Sequence, residues 1–124
     1  MTARITRLAA APAYDAPGHV DVDAVRLQGR EAGPTERFWV GLSVYRPGGL
    51  AERSVAREET VYVVLDGEVT LIVDGVASTL AAGDSVHLPR GTLREVRNQT
   101  DQPARLLVTM AIPTAPAVAP AGGG

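Results

Sequence analysis

Turn signals punctuate this chain at short, nearly regular intervals, and they constrain its fold more than any other feature. They read Arg46-Pro47-Gly48-Gly49, Asp66-Gly67, Asp74-Gly75, Ala82-Gly83-Asp84 and Pro89-Arg90-Gly91. Between them lie runs of Val, Leu, Ile, Thr and Tyr too short for helices and without helical spacing of their apolar residues. Asp-Gly is the pair that a tight hairpin prefers, because both central residues of its turn need positive φ. Strands are therefore expected at Phe38 to Tyr45, Thr60 to Leu65, Glu68 to Val73, Val76 to Leu80, Ser85 to Leu88, Leu93 to Arg97 and Arg105 to Ile112. A turn is expected to end the first of these at Arg46–Gly49, where proline and two glycines cluster. Short strands at intervals of about 8–12 residues predict an all-β antiparallel barrel or double-sheet jelly roll.

The two ends differ from this middle. Residues 1–30 hold one alternating run, Val20 to Leu27, which suits an edge strand or a strand exchanged with a second subunit. Residues 31–112 make up the barrel, and the Ala/Pro/Gly-rich stretch 113–124 has too little side chain to pack and is expected to be disordered. At 124 residues this is one domain, small enough to gain from pairing as a homodimer.

Composition removes several classes of function. With no cysteine there is no disulfide framework, thiolate zinc site or cysteine nucleophile. The net charge is -2 and the arginines are scattered among acids, so a nucleic-acid partner is not expected. No apolar stretch approaches the roughly 20 residues of a membrane span. The N-terminus lacks the apolar core of a secretory signal, and a cytoplasmic location is the expectation.

Two spaced frames carry more specific information. One runs Gly48, five residues, Ser54, one, Ala56, three, Thr60, six, Gly67. The other runs Gly83, five residues, Pro89, one, Gly91, two, Arg94, three, Asn98, and fifteen residues separate the two frames. This spacing resembles the two motifs of the cupin family, specifically its small single-domain microbial members. The resemblance implies a cupin-type barrel (a double-stranded β-helix), and it implies metal ligands of His, His and Glu where Ser54, Ala56 and Thr60 stand, and His where Arg94 stands. A hydroxyl, a methyl and a second hydroxyl do not replace two imidazoles and a carboxylate. Arg94 adds a permanent positive charge that repels a divalent ion. The expectation is a cupin with no metal and no other cofactor.

Strand alternation sets Tyr62 on the same face as Thr60. Ser54, Ala56, Thr60, Tyr62, Arg94 and Val96 are then expected to line one cavity, with Trp39 as a further wall or a packing residue at a subunit seam. Arg94 is the first candidate, as a fork for a carboxylate, enolate or phosphate; the ordinary alternative is pairing to an internal Glu or to backbone carbonyls. Tyr62 is a candidate oxyanion donor, and His87 a candidate base if it, rather than Val86 and Leu88, faces inward. The ligand expected is a small carboxylate, enol or sugar-like molecule.

Metal-free relatives in the resembling family include sugar epimerases and cyclases. The resemblance therefore implies isomerase, lyase or cyclase chemistry by proton transfer beside a carbonyl, with Arg94 and Tyr62 holding the enolate and His87 or Glu59 moving the proton. The alternative is a non-catalytic barrel that binds or senses a small molecule.

Overall fold

The structure, a computed structural model, describes residues 2–113. The expected disordered tail lies, but for Pro113, outside the described residues. Eight strands follow in order: β1 (His19–Gln28), β2 (Phe38–Val55), β3 (Thr60–Asp66), β4 (Glu68–Val73), β5 (Val76–Ala81), β6 (Ser85–Leu88), β7 (Leu93–Arg97) and β8 (Ala104–Ala111). They form one antiparallel sheet in the order β5-β4-β7-β2-β8-β3-β6, with β1 beside β2. The sheet curls into a nearly closed barrel of the jelly-roll kind, with β5 and β6 at the two ends of that order. The strand content matches the expectation. No helix among the described residues is long and apolar enough to cross a membrane.

The one departure is at Arg46–Gly49. These residues do not end a strand; they bend one, and β2 runs unbroken for 18 residues. Its first half pairs with β8 and its second half with β7, while β1 follows both. Gly48 has φ of +80°, and a Cβ on Gly49 would lie 2.5 Å from the Asp21 carbonyl oxygen, so the bend needs both glycines. Asn98 ties this corner down. Its backbone N–H reaches the Gly49 carbonyl at 2.8 Å, its own carbonyl accepts from Gly48 at 2.9 Å, and its side-chain amide donates to the carbonyls of Tyr45 and Gln102. The first and last positions of the two frames, Gly48 and Asn98, are thus hydrogen-bonded partners.

Alternation along each strand sends Tyr45, Tyr62, Val64, Val69, Leu71, Val96, Leu106 and Val108 to the interior. Facing pairs such as Tyr62 with Val108, Val64 with Leu106 and Leu71 with Val96 stack these side chains across neighbouring strands. Each fully buried aliphatic side chain of this set contributes on the order of 1.5–3 kcal/mol. The run Val20–Leu27, expected at an edge or exchanged with a partner, lies in β1 and pairs within its own chain.

Candidate functional site

One end of the barrel encloses a cavity of about 740 Å³. All three tyrosines of the chain (Tyr14, Tyr45, Tyr62) and its single tryptophan, Trp39, line it. A chain that is only 4% aromatic has therefore placed nearly all of that surface around one space. Such rings supply flat apolar walls with polar edges, the usual make-up of a small-molecule site.

Arg94 stands at the centre of the polar side. It faces Ser54 directly across the β2–β7 ladder. Its Nε–H donates to the Tyr62 hydroxyl at 3.0 Å, and its Nη1 donates to the Ser54 hydroxyl at 2.8 Å and the Glu52 carbonyl at 3.0 Å. Every one of these acceptors is neutral. Among the described residues Arg94 has no carboxylate partner, although five other ion pairs form. Of the ordinary alternative for Arg94, the carboxylate partner is missing among the described residues and a backbone carbonyl, that of Glu52, is present, while Nη2 has no protein acceptor among those residues.

Of the other candidates, Ser54, Ala56, Tyr62 and Trp39 line the cavity with Arg94. Thr60 and Val96 do not. Both are 1% exposed and outside the cavity lining, and the Thr60 hydroxyl donates to the Glu58 carbonyl at 2.9 Å. His87 needs a correction. It pairs with Val61 on the ladder, out of phase with the inward Tyr62–Val86 pair, so its ring stands on the outer face. There its Nε2 meets Glu59 at 2.7 Å, both side chains being more than half exposed. The two groups proposed to move a proton thus pair with each other outside the cavity.

The histidine that does line the cavity is His19, at the start of β1. Its Nδ1 lies 3.0 Å from the Pro17 carbonyl. A carbonyl oxygen only accepts, so Nδ1 carries the proton and the neutral ring keeps a lone pair on Nε2. Burial lowers the pKa of His19; the Pro17 carbonyl works against that shift, and the positive charge of Arg94 adds to it. The ring is therefore neutral at pH 7. Burial pushes the phenols of Tyr14 and Tyr45 up, so both are neutral donors, the Arg26 charge partly offsetting the rise at Tyr14.

Arg26, also on β1, closes the far side. Its guanidinium lies 3.4 Å from the Tyr14 ring centroid and 4.0 Å from that of Trp39, and its Nε meets Glu31 at 3.0 Å. These contacts fix its orientation by stacking and charge together. Neither His19 nor Arg26 belongs to a recognisable motif. The available signal was the alternation of the Val20–Leu27 run, which locates a strand but not the face it turns to the cavity.

A family model described as a cupin domain matches residues 41–110. The chain belongs to the cupin family. A protein of Mycobacterium tuberculosis (strain ATCC 25618 / H37Rv) named beta-D-galactosidase Rv1717 is 62% identical over 112 residues, covering 90% of this chain and 97% of that one. Among solved structures, the polyketide cyclase RemF from Streptomyces resistomycificus is similar with a TM-score of 0.78 at 22% identity, covering 94% of this cupin and 83% of RemF. A cupin from Silicibacter pomeroyi described as a sugar phosphate isomerase has a TM-score of 0.68 at 23% identity, with 83% and 70% covered. At these identities the two structures establish the shared fold.

The metal that many cupins carry does not fit this cavity. The Ser54 hydroxyl is engaged by Arg94, Ala56 offers a methyl, Thr60 is turned to a backbone carbonyl, and the fourth position is a fixed cation. Among the described residues no three His, Cys, Asp or Glu side chains come together as a ligand set.

Proposed function

We propose that this cupin takes a small oxygen-rich molecule, a β-galactoside first, into the aromatic cavity and acts on it without a metal. The observation that carries this reading is Arg94. It is a cation inside a ligand-sized cavity, bonded only to neutral oxygens, with one nitrogen free for a ligand. The relative named a β-D-galactosidase, alike over nearly its whole length, supports a galactoside as the first substrate to try.

Hydrolysis of a glycoside needs a proton for the leaving oxygen and an acceptor for the proton of the attacking water. Nε2 of His19 is the acceptor in this reading. Tyr62 is the donor: its oxygen accepts from Arg94 Nε–H, which leaves its own hydroxyl proton free. Water adds to the anomeric carbon and gives a proton to His19, the bond to the leaving oxygen breaks as that oxygen takes the proton of Tyr62, and transfer of the His19 proton to the Tyr62 phenolate through solvent restores both groups. Glu31 is not the acid, because its own backbone amide and Arg26 hold its carboxyl below the usual range.

A second reading, isomerase, lyase or cyclase chemistry beside a carbonyl, uses the same groups: His19 takes the proton and Arg94 holds the enolate. It rests on His19 and Arg94 sharing one cavity. Pairing as a homodimer belongs to the same reading, supported by β5 and β6, each paired on one side only, and by the exposed Phe38, Val55 and Val76; light scattering checks it.

The test is release of nitrophenol from 4-nitrophenyl β-D-galactoside in EDTA, by wild type and Arg94→Gln. Hydrolysis that survives EDTA and is lost in the variant supports the first reading. Binding of galactosides without turnover leaves a carrier or sensor, and neither binding nor turnover ends the galactoside reading.

A further inference from the structure

The charges around the cavity are unbalanced, in the direction opposite to the whole chain. Four arginines (Arg26, Arg30, Arg57, Arg94) line it against two carboxylates, Asp15 and Glu31, while the protein as a whole carries -2. The charge of Arg26 is already met by Glu31. Arg94 is not met, and no ion pair forms at Arg30 or Arg57 among the described residues. His19, neutral at pH 7, contributes no compensating charge. A partly buried guanidinium bonded only to neutral acceptors gains most from a ligand that brings a negative charge, and the cationic rim draws such a ligand in.

A second feature lies in the wall of the same cavity. Nη1 of Arg26 is buried and has no hydrogen-bond partner. A buried donor left unsatisfied costs about 1–3 kcal/mol. Its neighbours Tyr14, Trp39 and Glu31 hold the guanidinium in place, so it cannot turn to find an acceptor. The cavity thus offers three arginines without a carboxylate partner among the described residues, Arg94, Arg30 and Arg57, while Arg26 stays one hydrogen bond short within the wall, a pattern suited to a molecule with an acid group and several hydroxyls.

We propose that the ligand is an acidic sugar whose carboxylate is held by Arg94, with its hydroxyls along the remaining donors of the cavity. This rests on the sugar reading above and names the substrate class within it. A neutral galactoside fills the same space but leaves Arg94 uncompensated.

The closing experiment compares D-galactose with D-galacturonate, which differ at C6 by a hydroxymethyl group against a carboxylate. Binding is measured by calorimetry at low and high salt. Wild type is expected to prefer galacturonate by about tenfold or more, the scale of one charge-assisted fork, with the preference falling as salt rises. Arg94→Gln is expected to bring the two sugars to equal affinity, and Arg94→Lys to keep part of the preference. Galactose bound as tightly as galacturonate, or a preference that survives in Arg94→Gln, overturns the proposal and leaves the sugar reading intact. No binding of either sugar overturns both. Should Arg94→Gln fail to fold, the salt dependence of the wild-type preference decides alone: a preference insensitive to salt is not made by charge.

Discussion

The Nε–H of Arg94 donates to the Tyr62 hydroxyl across 3.0 Å, joining β7 to β3 over the cavity. The bond decides how each residue can act. Arg94 cannot swing out to solvent without leaving Tyr62, and Tyr62 keeps its own proton available to another acceptor because Arg94 has none to offer. Tyr62→Phe keeps the ring and removes the donor. It is expected to lower kcat on 4-nitrophenyl β-D-galactoside by about 10²–10⁴-fold, the usual worth of a positioned acid, with little change in melting temperature.

In the proposed hydrolysis His19 sets the pH dependence. The base must be neutral, and burial with the Arg94 charge holds its pKa below 6.5. Activity should therefore be complete above pH 6.5 and fall only as pH drops through the lowered pKa. The contribution of His19 to stability runs the same way, since between the lowered pKa and 6.5 the unfolded chain binds more protons, and acid favours it. A kcat/KM profile of wild type against His19→Gln checks this. The acid limb should vanish with the ring, and an unchanged limb would assign it to another group.

His87 provides the contrast. Its pair with Glu59 is exposed and outside the cavity. His87→Ala is expected to leave turnover unchanged and stability within about 1 kcal/mol, as for other surface pairs. A large loss of activity would contradict the outward placement of this ring.

Asn98 carries structural weight that its polarity hides. It is 1% exposed, its amide nitrogen donates to two carbonyls, and its side-chain oxygen accepts from the N–H and hydroxyl of Thr100. Asn98→Leu strips partners from several buried groups at once and is expected to cost about 2–4 kcal/mol in denaturant unfolding.

Gly67 and Gly75 both sit at positive φ, yet only one is crowded. A Cβ at Gly67 would lie 2.6 Å from the Pro103 carbonyl oxygen, while nothing lies within 4 Å at Gly75. Gly75→Ala should cost about 1–2 kcal/mol of backbone strain, and Gly67→Ala clearly more, because backbone must move as well. Equal melting temperatures for the two variants would contradict this packing.

The residues alone determined the barrel, most of its strands and the four non-ligating positions of the frame, because turn chemistry and period-two alternation are local properties. Ser54, Ala56, Tyr62 and Arg94 were legible as cavity residues for the same reason: each lies on a strand whose phase the frame sets. Local rules misread Arg46–Gly49, since whether a proline–glycine cluster ends a strand or bends it depends on what waits on the far side. Here Asn98 and β1 hold the chain extended. They also left the side of His87 open, because alternation gives two faces without saying which is inside. His19, Arg26 and Tyr14 were out of reach altogether. Their roles come from β1 and the segment before it being laid along β2 to wall the cavity, a contact between distant parts of the chain that is made by burial and not by any local pattern.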